Sequence, residues 1–248
     1  MLAEDIGPKW LHWPWVTDHL DEIRTRLTEH IELTVYAVGI GLIVALPLAV
    51  ISVRYRRVYG PTIAVTGLLY TVPALALFAL LAPLTGLLSR WTAIIPLALY
   101  TLLILVRNIV AGFDGVPPEV KEAAAGMGYS RTRQLLRVEL PLASPAIFVG
   151  IRIAVATTIG LVTVTALIGQ GGLGSLMLDG FNRAFRTPLT VGIVLSLALA
   201  VVADLILLTL QYLVTPWERS GRRAAHVRAR RSVEPTEMAP DVVPLEVH

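Results

Sequence analysis

Ionisable side chains are missing from long stretches of this chain. Residues 33–53, 58–89, 91–106 and 153–178 carry none, and 187–217 carries only Asp204. An apolar helix in a soluble core runs to about 10–14 residues, whereas a bilayer crossing needs about 20. Composition agrees: charged residues make up 16% and hydrophobic residues 55% of the 248, against roughly 25% charged in soluble domains. The expected fold class is an all-α integral membrane protein.

Five spans are expected, at 33–53, 62–82, 92–112, 142–168 and 189–214. Gly60-Pro61 punctuates the first connection, and Pro83 with Gly86 the second. Pro47, Pro73 and Pro96 fall inside spans, where neighbouring helices can satisfy the freed carbonyls, so they are expected kinks rather than breaks. Lys and Arg set the orientation. With the N-terminus outside and the C-terminus in the cytoplasm, 14 of them lie inside, six lie outside and Arg152 stays within the membrane. The opposite orientation reverses that ratio. Such a chain is expected to cross its membrane several times.

The flanking segments are of a different character. Residues 1–32 form an external or interfacial piece, in which Leu20, Ile23, Leu27 and Ile31 share one helical face with charges opposite. Such a helix is expected to lie in the membrane interface. Three tryptophans in "KWLHWPW" (9–15) suit the same interface; the competing reading is a cage for a quaternary ammonium ion. The first residues lack a basic start and a short apolar run, so no cleavable signal peptide is expected. Residues 217–248 turn basic, which suits an anionic cytoplasmic leaflet. They then turn acidic and proline-containing, a composition expected to stay disordered.

Several chemistries are excluded by what is missing. There is no cysteine, and none of the five histidines sits at metal-ligand spacing from another ligand. No metal or other cofactor is therefore expected, and the histidines read as surface residues. "GQGGLG" (169–174) matches a dinucleotide fingerprint, but a membrane helix rather than a strand precedes it, so it reads as a tight exit turn. No phosphate-binding loop, nucleophile elbow or close carboxylate pair occurs, so the chain is expected not to be an enzyme. Any ATP hydrolysis must belong to a partner. Two ions remain inside spans, where a charge at the bilayer centre costs about 2.5–3.5 kcal/mol on insertion scales. Arg152 and Asp204 lie at similar depths, roughly 15 Å from the same membrane face at 1.5 Å per residue. They are expected to form a structural ion pair between the fourth and fifth spans.

The longest cytoplasmic connection, about 113–141, holds "EAAAGMGYSRTRQLLRVELP" (122–141). Two small-residue helical pieces joined at a glycine resemble a DNA-binding helix-turn-helix. That module must push its second helix into a major groove, yet this one is tethered to the bilayer at both ends. No nucleic-acid partner is expected, and a regulator or sensor would need a free module that this chain lacks. Proline suits the start of the first piece, Gly128 permits a turn that a Cβ hinders, and Ser130 can cap the second piece.

Glu122, Ala123, Ala124, Gly128, Val138, Leu140 and Pro141 fit the pattern E-A-A-x3-G-x9-[IV]-x-L-P without a gap. This resembles the EAA loop of ATP-binding-cassette (ABC) importer permeases. "TVPALALFALLAPLTG", "LYTLLILVRNIVAGFDGVPPEVKEAA", "ELPLASPAIFVGIRIA", "LIGQGGLG" and "VADLILL" are similar to the permeases for osmoprotectants and quaternary amines, so the likeness covers about 28–216. The resemblance implies a type I importer fold with a permease domain over 33–216, set in a bacterial plasma (inner) membrane. It implies a cytoplasmic ATP-binding subunit, a second permease subunit in a homo- or heterodimer, and an external solute-binding protein. It further implies that Glu122, Ala123, Ala124, Gly128, Leu140 and Pro141 couple the permease to the ATPase. Glycine betaine, choline, carnitine or proline betaine would be the solute. Methionine or an alkyl sulfonate is the alternative, because the loop is shared among importers.

Overall fold

The computed structural model describes residues 10–86 and 89–217, and the basic and acidic tail lies outside them. In chain order the helices are α1 (Trp13–Asp18), α2 (Leu20–Arg54), α3 (Arg56–Thr71), α4 (Ala74–Thr85) and α5 (Trp91–Asp114). They continue with α6 (Pro118–Gly126), α7 (Arg131–Gln134), α8 (Leu140–Val162), α9 (Leu173–Asn182) and α10 (Arg186–Val214). A π turn, Leu135–Glu139, joins α7 to α8, and a 3-10 segment, Thr163–Ile168, follows α8. Every ordered element among the described residues is helical. Four helical stretches are long and apolar enough to cross a membrane, and the α3–α4 pair makes a fifth if its two halves are one crossing.

Helix α5 is the axis of the fold. Its Leu97, Leu105, Val106 and Ile109 are fully buried, and α2 and α8 pack along it. Helices without a hydrophobic drive between them associate by close backbone approach at small residues. A Cβ at Gly41 would meet Thr101 Oγ1 of α5 at 1.8 Å, and one at Gly150 would meet Asn108 Cβ at 2.5 Å. Those two glycines bring α2 and α8 onto α5. Burying a polar face without partners would be costly, so threonines in the core bond their own helices: Thr101 Oγ1 donates to the Ala98 carbonyl at 2.7 Å.

Two expectations are corrected here. The second span is not one helix over 62–82 merely kinked at Pro73: it is broken there, and α3 and α4 meet at a bend of 95°. Pro73 supplies no N–H and forces the preceding residue out of the helical region, and Val72 indeed has ψ of 130°. The carbonyl so released accepts a hydrogen bond from the Tyr100 hydroxyl of α5. Pro47 and Pro96, by contrast, are accommodated inside continuous helices. The second correction concerns 17–32. That stretch is no separate surface helix, because from Leu20 onward it is the first third of α2, unbroken to Arg54. Its apolar stripe is divided: Ile23 and Leu27 pack with Leu173, Leu176 and Val191, while Leu20 and Ile31 remain exposed. Protein, not lipid headgroups, takes the inner half of that face.

Candidate coupling surface and charged anchors

The segment from α6 to α8 sits at the end of the bundle where α2 and α5 terminate. Pro118 opens α6 at a position whose N–H would have no partner. Lys121 Nζ donates to the Phe113 carbonyl at 3.0 Å and ties α6 to the end of α5. Four residues make one turn, so Val120 and Ala124 share the inward face, and Ala124 is only 1% exposed. Glu122 and Ala123 face outward, as does Met127, 68% exposed. Gly128 then has φ of +77°, a left-handed conformation that suits glycine. Its turn is closed by Tyr129 N–H donating to the Ala124 carbonyl at 3.2 Å.

Ser130 starts α7 as its cap, Oγ accepting from Arg133 N–H at 3.4 Å. In the π turn, Gln134 Nε2 donates to Glu139 Oε1 at 3.0 Å, satisfying a carboxylate that is largely buried. Leu140 packs at the edge of the cluster that holds Phe113 and Ile109, and Pro141 opens α8 half-buried. The six sequence-nominated residues therefore divide. Glu122, Ala123 and Gly128 are exposed, Ala124 is spent on the chain's own packing, and Leu140 with Pro141 lie half-buried where the π turn passes into α8. Met127 is exposed beside them; its spacing from Ala123, one helical turn, was the available signal.

Arg152 of α8 and Asp204 of α10 are brought together. Arg152 Nε donates to Asp204 Oδ1 at 2.7 Å and Nη2 to Oδ2 at 2.8 Å. A two-pronged pair of this kind is directional as well as attractive. It holds α10, whose apolar window is mostly exposed within the single chain, against α8.

At the opposite end of the bundle lies an arrangement that sequence reading missed. Gly172, with φ of +78°, caps α9 without a side chain of its own, and α2 supplies the acceptors instead. Glu29 Oε2 accepts from Gly172 N–H at 2.9 Å, and His30 Nδ1 accepts from Leu173 N–H at 3.2 Å. His30 Nε2 donates to the Ile159 carbonyl of α8 at 3.1 Å, so only the Nε2–H tautomer satisfies both contacts. The surface assignment of the histidines is thus wrong for His30, which is fully buried. It stands one turn before Thr34 on the inner face of α2, and that register was the overlooked clue. "GQGGLG" is the exit turn it was read as, here set between the 3-10 segment and α9. A Cβ at Gly174 would meet the Thr163 carbonyl oxygen at 2.1 Å.

An all-helical chain with several helices long and apolar enough to cross a membrane, a helical EAA connection and an ion pair between α8 and α10 points to a class, the importer permease. The chain matches the family model for the binding-protein-dependent transport system inner membrane component over residues 37–216, and it belongs to that family. Among curated relatives it is 36% identical over 206 residues to an osmoprotectant import permease protein, OsmW, of Salmonella typhimurium. That match covers 82% of this chain and 96% of the relative. It is 35% identical over 195 residues to a choline transport system permease protein, OpuBB, of Bacillus subtilis, covering 79% and 89%. Its fold is similar to an inward-facing methionine ABC transporter structure, MetNI, with TM-score 0.71 and 20% identity over 80% of this chain and 98% of that one. The chain is a multi-pass membrane permease rather than an enzyme, and its family implies an ATP-binding subunit and a binding protein.

Proposed function

We propose that the chain is the permease subunit of an ATP-driven importer for quaternary-ammonium osmoprotectants: glycine betaine, choline, carnitine or proline betaine. The observation that carries this reading is the α6 surface, on which Glu122 and Ala123 stand outward while Ala124 and Lys121 fasten the helix to the chain beneath. A short helix fixed from below and open above suits a groove in a cytoplasmic ATPase. Two such permeases, as a homo- or heterodimer, enclose the pathway, and ATP-driven closure of two ATPases draws their α6 helices together. The end bearing α6 then lies in the cytoplasm of a bacterial cell. The end bearing α9 faces the external solute-binding protein, and α3 with α4 makes one of five crossings.

Sequence relatives at about one-third identity favour osmoprotectants over methionine, whereas the methionine system shares the fold alone. The test is uptake of radiolabelled glycine betaine by cells with and without the gene, competed by choline, carnitine and methionine. Competition by the quaternary amines alone is expected. Competition by methionine alone, with betaine uptake independent of the gene, overturns the substrate assignment and leaves the fold untouched.

A further inference from the structure

A cleft of about 530 Å³ opens between the end of α2 and the α7–π-turn segment. Its exposed rim is polar, and its less exposed part combines apolar side chains with Gln134 and Glu139. Val50 and Val53 of α2 and Leu135 of the π turn give an apolar wall, and Arg54, Arg131 and Thr132 give a polar rim. Val50 precedes Arg54 by one helical turn, about 6 Å along the axis, so the wall lies on the membrane side of the rim. Neither arginine forms an ion pair among the described residues; Arg54 lies 5.7 Å from the Tyr55 ring centre and Arg131 makes no charged contact. One carboxylate also faces the cleft, that of Glu139, which is engaged by Gln134. Two guanidinium groups against one occupied carboxylate leave the cleft cationic.

We propose that this cleft binds a phosphate group, and specifically the headgroup phosphate of an anionic phospholipid. Guanidinium forks match phosphate oxygens two at a time, and the Thr132 hydroxyl adds a neutral donor. A free phosphate ion would use the rim and leave the valine and leucine wall idle. A phospholipid uses both, setting its phosphate between the arginines and its glycerol and first methylenes against Val50, Val53 and Leu135. The bound lipid would bridge the end of α2 to the segment that follows the EAA helix, so lipid charge would bear on the coupling element directly. The binding itself does not depend on which solute is transported.

Native mass spectrometry of the full-length chain in detergent tests it, with phosphatidylglycerol, phosphatidylcholine and inorganic phosphate as probes. Wild-type protein is expected to retain phosphatidylglycerol over phosphatidylcholine. Arg54→Gln/Arg131→Gln is expected to lower that retention about 30-fold, from two lost surface cations at the usual strength of each. Arg107→Gln, an exposed charge off the cleft, is expected to leave it unchanged, and helical content confirms that the double variant folds. Equal retention by wild type and the double variant overturns the proposal, as does equal loss in Arg107→Gln, which would mean diffuse attraction. Displacement of the lipid by millimolar phosphate identifies a soluble anion as the occupant and overturns the lipid assignment. If the double variant keeps its lipid but no longer co-purifies with the ATPase, the cleft is a protein contact instead.

Discussion

The two ends of this bundle are built on opposite plans. At the α9 end, a helix whose own N-terminus has no side-chain cap borrows one from α2, through Glu29 and His30. The latter also reaches α8, so three elements are locked by polar contacts more than a hundred residues apart in sequence. At the α6 end one long-range ion pair, Arg56 to Asp114, joins α3 to the end of α5, but within the α6–π-turn segment itself the polar contacts are short-range. Lys121 reaches back eight residues, Ser130 forward three and Gln134 forward five, and the outer faces of Glu122, Ala123 and Met127 are left open. Groups satisfied within the chain serve a scaffold, while a helix fixed from below with its outer face open is suited to the docking role proposed for it. One end is closed by its own chain, and the other leaves open the helix face proposed to receive the ATPase.

The strongest way to break that contrast is to spoil the open end. Glu122→Lys reverses a charge that makes no contact within the described chain, so folding and insertion are expected to be untouched while ATP-coupled uptake falls to background. Membrane-fraction yield and radiolabelled uptake, measured together, check it. Loss of both, or of neither, would mean that α6 is not the docking surface.

The next largest effect falls between the ends, at the ion pair joining α8 to α10. Removing one member strands a charge within the bilayer, whereas removing both strands none. Arg152→Leu and Asp204→Leu are each expected to lower the yield of folded, monodisperse protein several-fold, and the double variant to recover most of it. Size-exclusion profiles of the detergent-solubilised variants decide this. A double variant as poor as the singles would assign the pair a role in the transport path instead.

At the finished end, Gly174→Ala sets a methyl group against the backbone oxygen of Thr163 rather than against a side chain that can swing away. The expected destabilisation is about 1–3 kcal/mol, read as a lowered melting temperature with no specific loss of ATPase binding. Loss of ATPase binding without a change in melting would undo the division between scaffold and interface.

What could be read from the sequence follows the same division. Charge-free runs announce the crossings because a bilayer tolerates little else, and Arg152 and Asp204 stood out because each interrupts such a run. Gly128 and Ser130 carried local signals, a turn and a cap, which need only neighbouring residues to be realised. Contacts closed over long separations left no such trace. Glu29 and His30 looked like two more polar residues on an amphipathic stretch, since nothing nearby in sequence indicates that Gly172 and Leu173 will need acceptors. The bend at Val72–Pro73 was half legible: proline marked the place, but only Tyr100, on another helix, supplies the donor that makes a full break tolerable in place of a kink. Ala124 shows the converse, a residue singled out by its motif whose side chain turns inward because helical register puts it beside Val120.

The smallest expected effect compares the two ends by like substitution of their caps. Ser130→Ala removes a neutral acceptor 3.4 Å from the Arg133 N–H, and α7 continues through the π turn into α8, so the loss is local. About 0.5 kcal/mol is expected, the low end for a cap. Glu29→Ala removes a carboxylate 2.9 Å from the Gly172 N–H, and charge-assisted bonds are roughly twice as strong as neutral ones. It also removes one of the two side-chain hydrogen bonds by which α2 holds the start of α9, leaving that of His30, so the effect should reach beyond the cap. Hydrogen exchange separates the cases: Ser130→Ala should speed exchange only over 131–134, whereas Glu29→Ala should speed it at 172–176 and along the neighbouring turn of α2. If Ser130→Ala loosened the longer stretch, the α6 end would be the rigid one, and its open face would owe nothing to an absent partner.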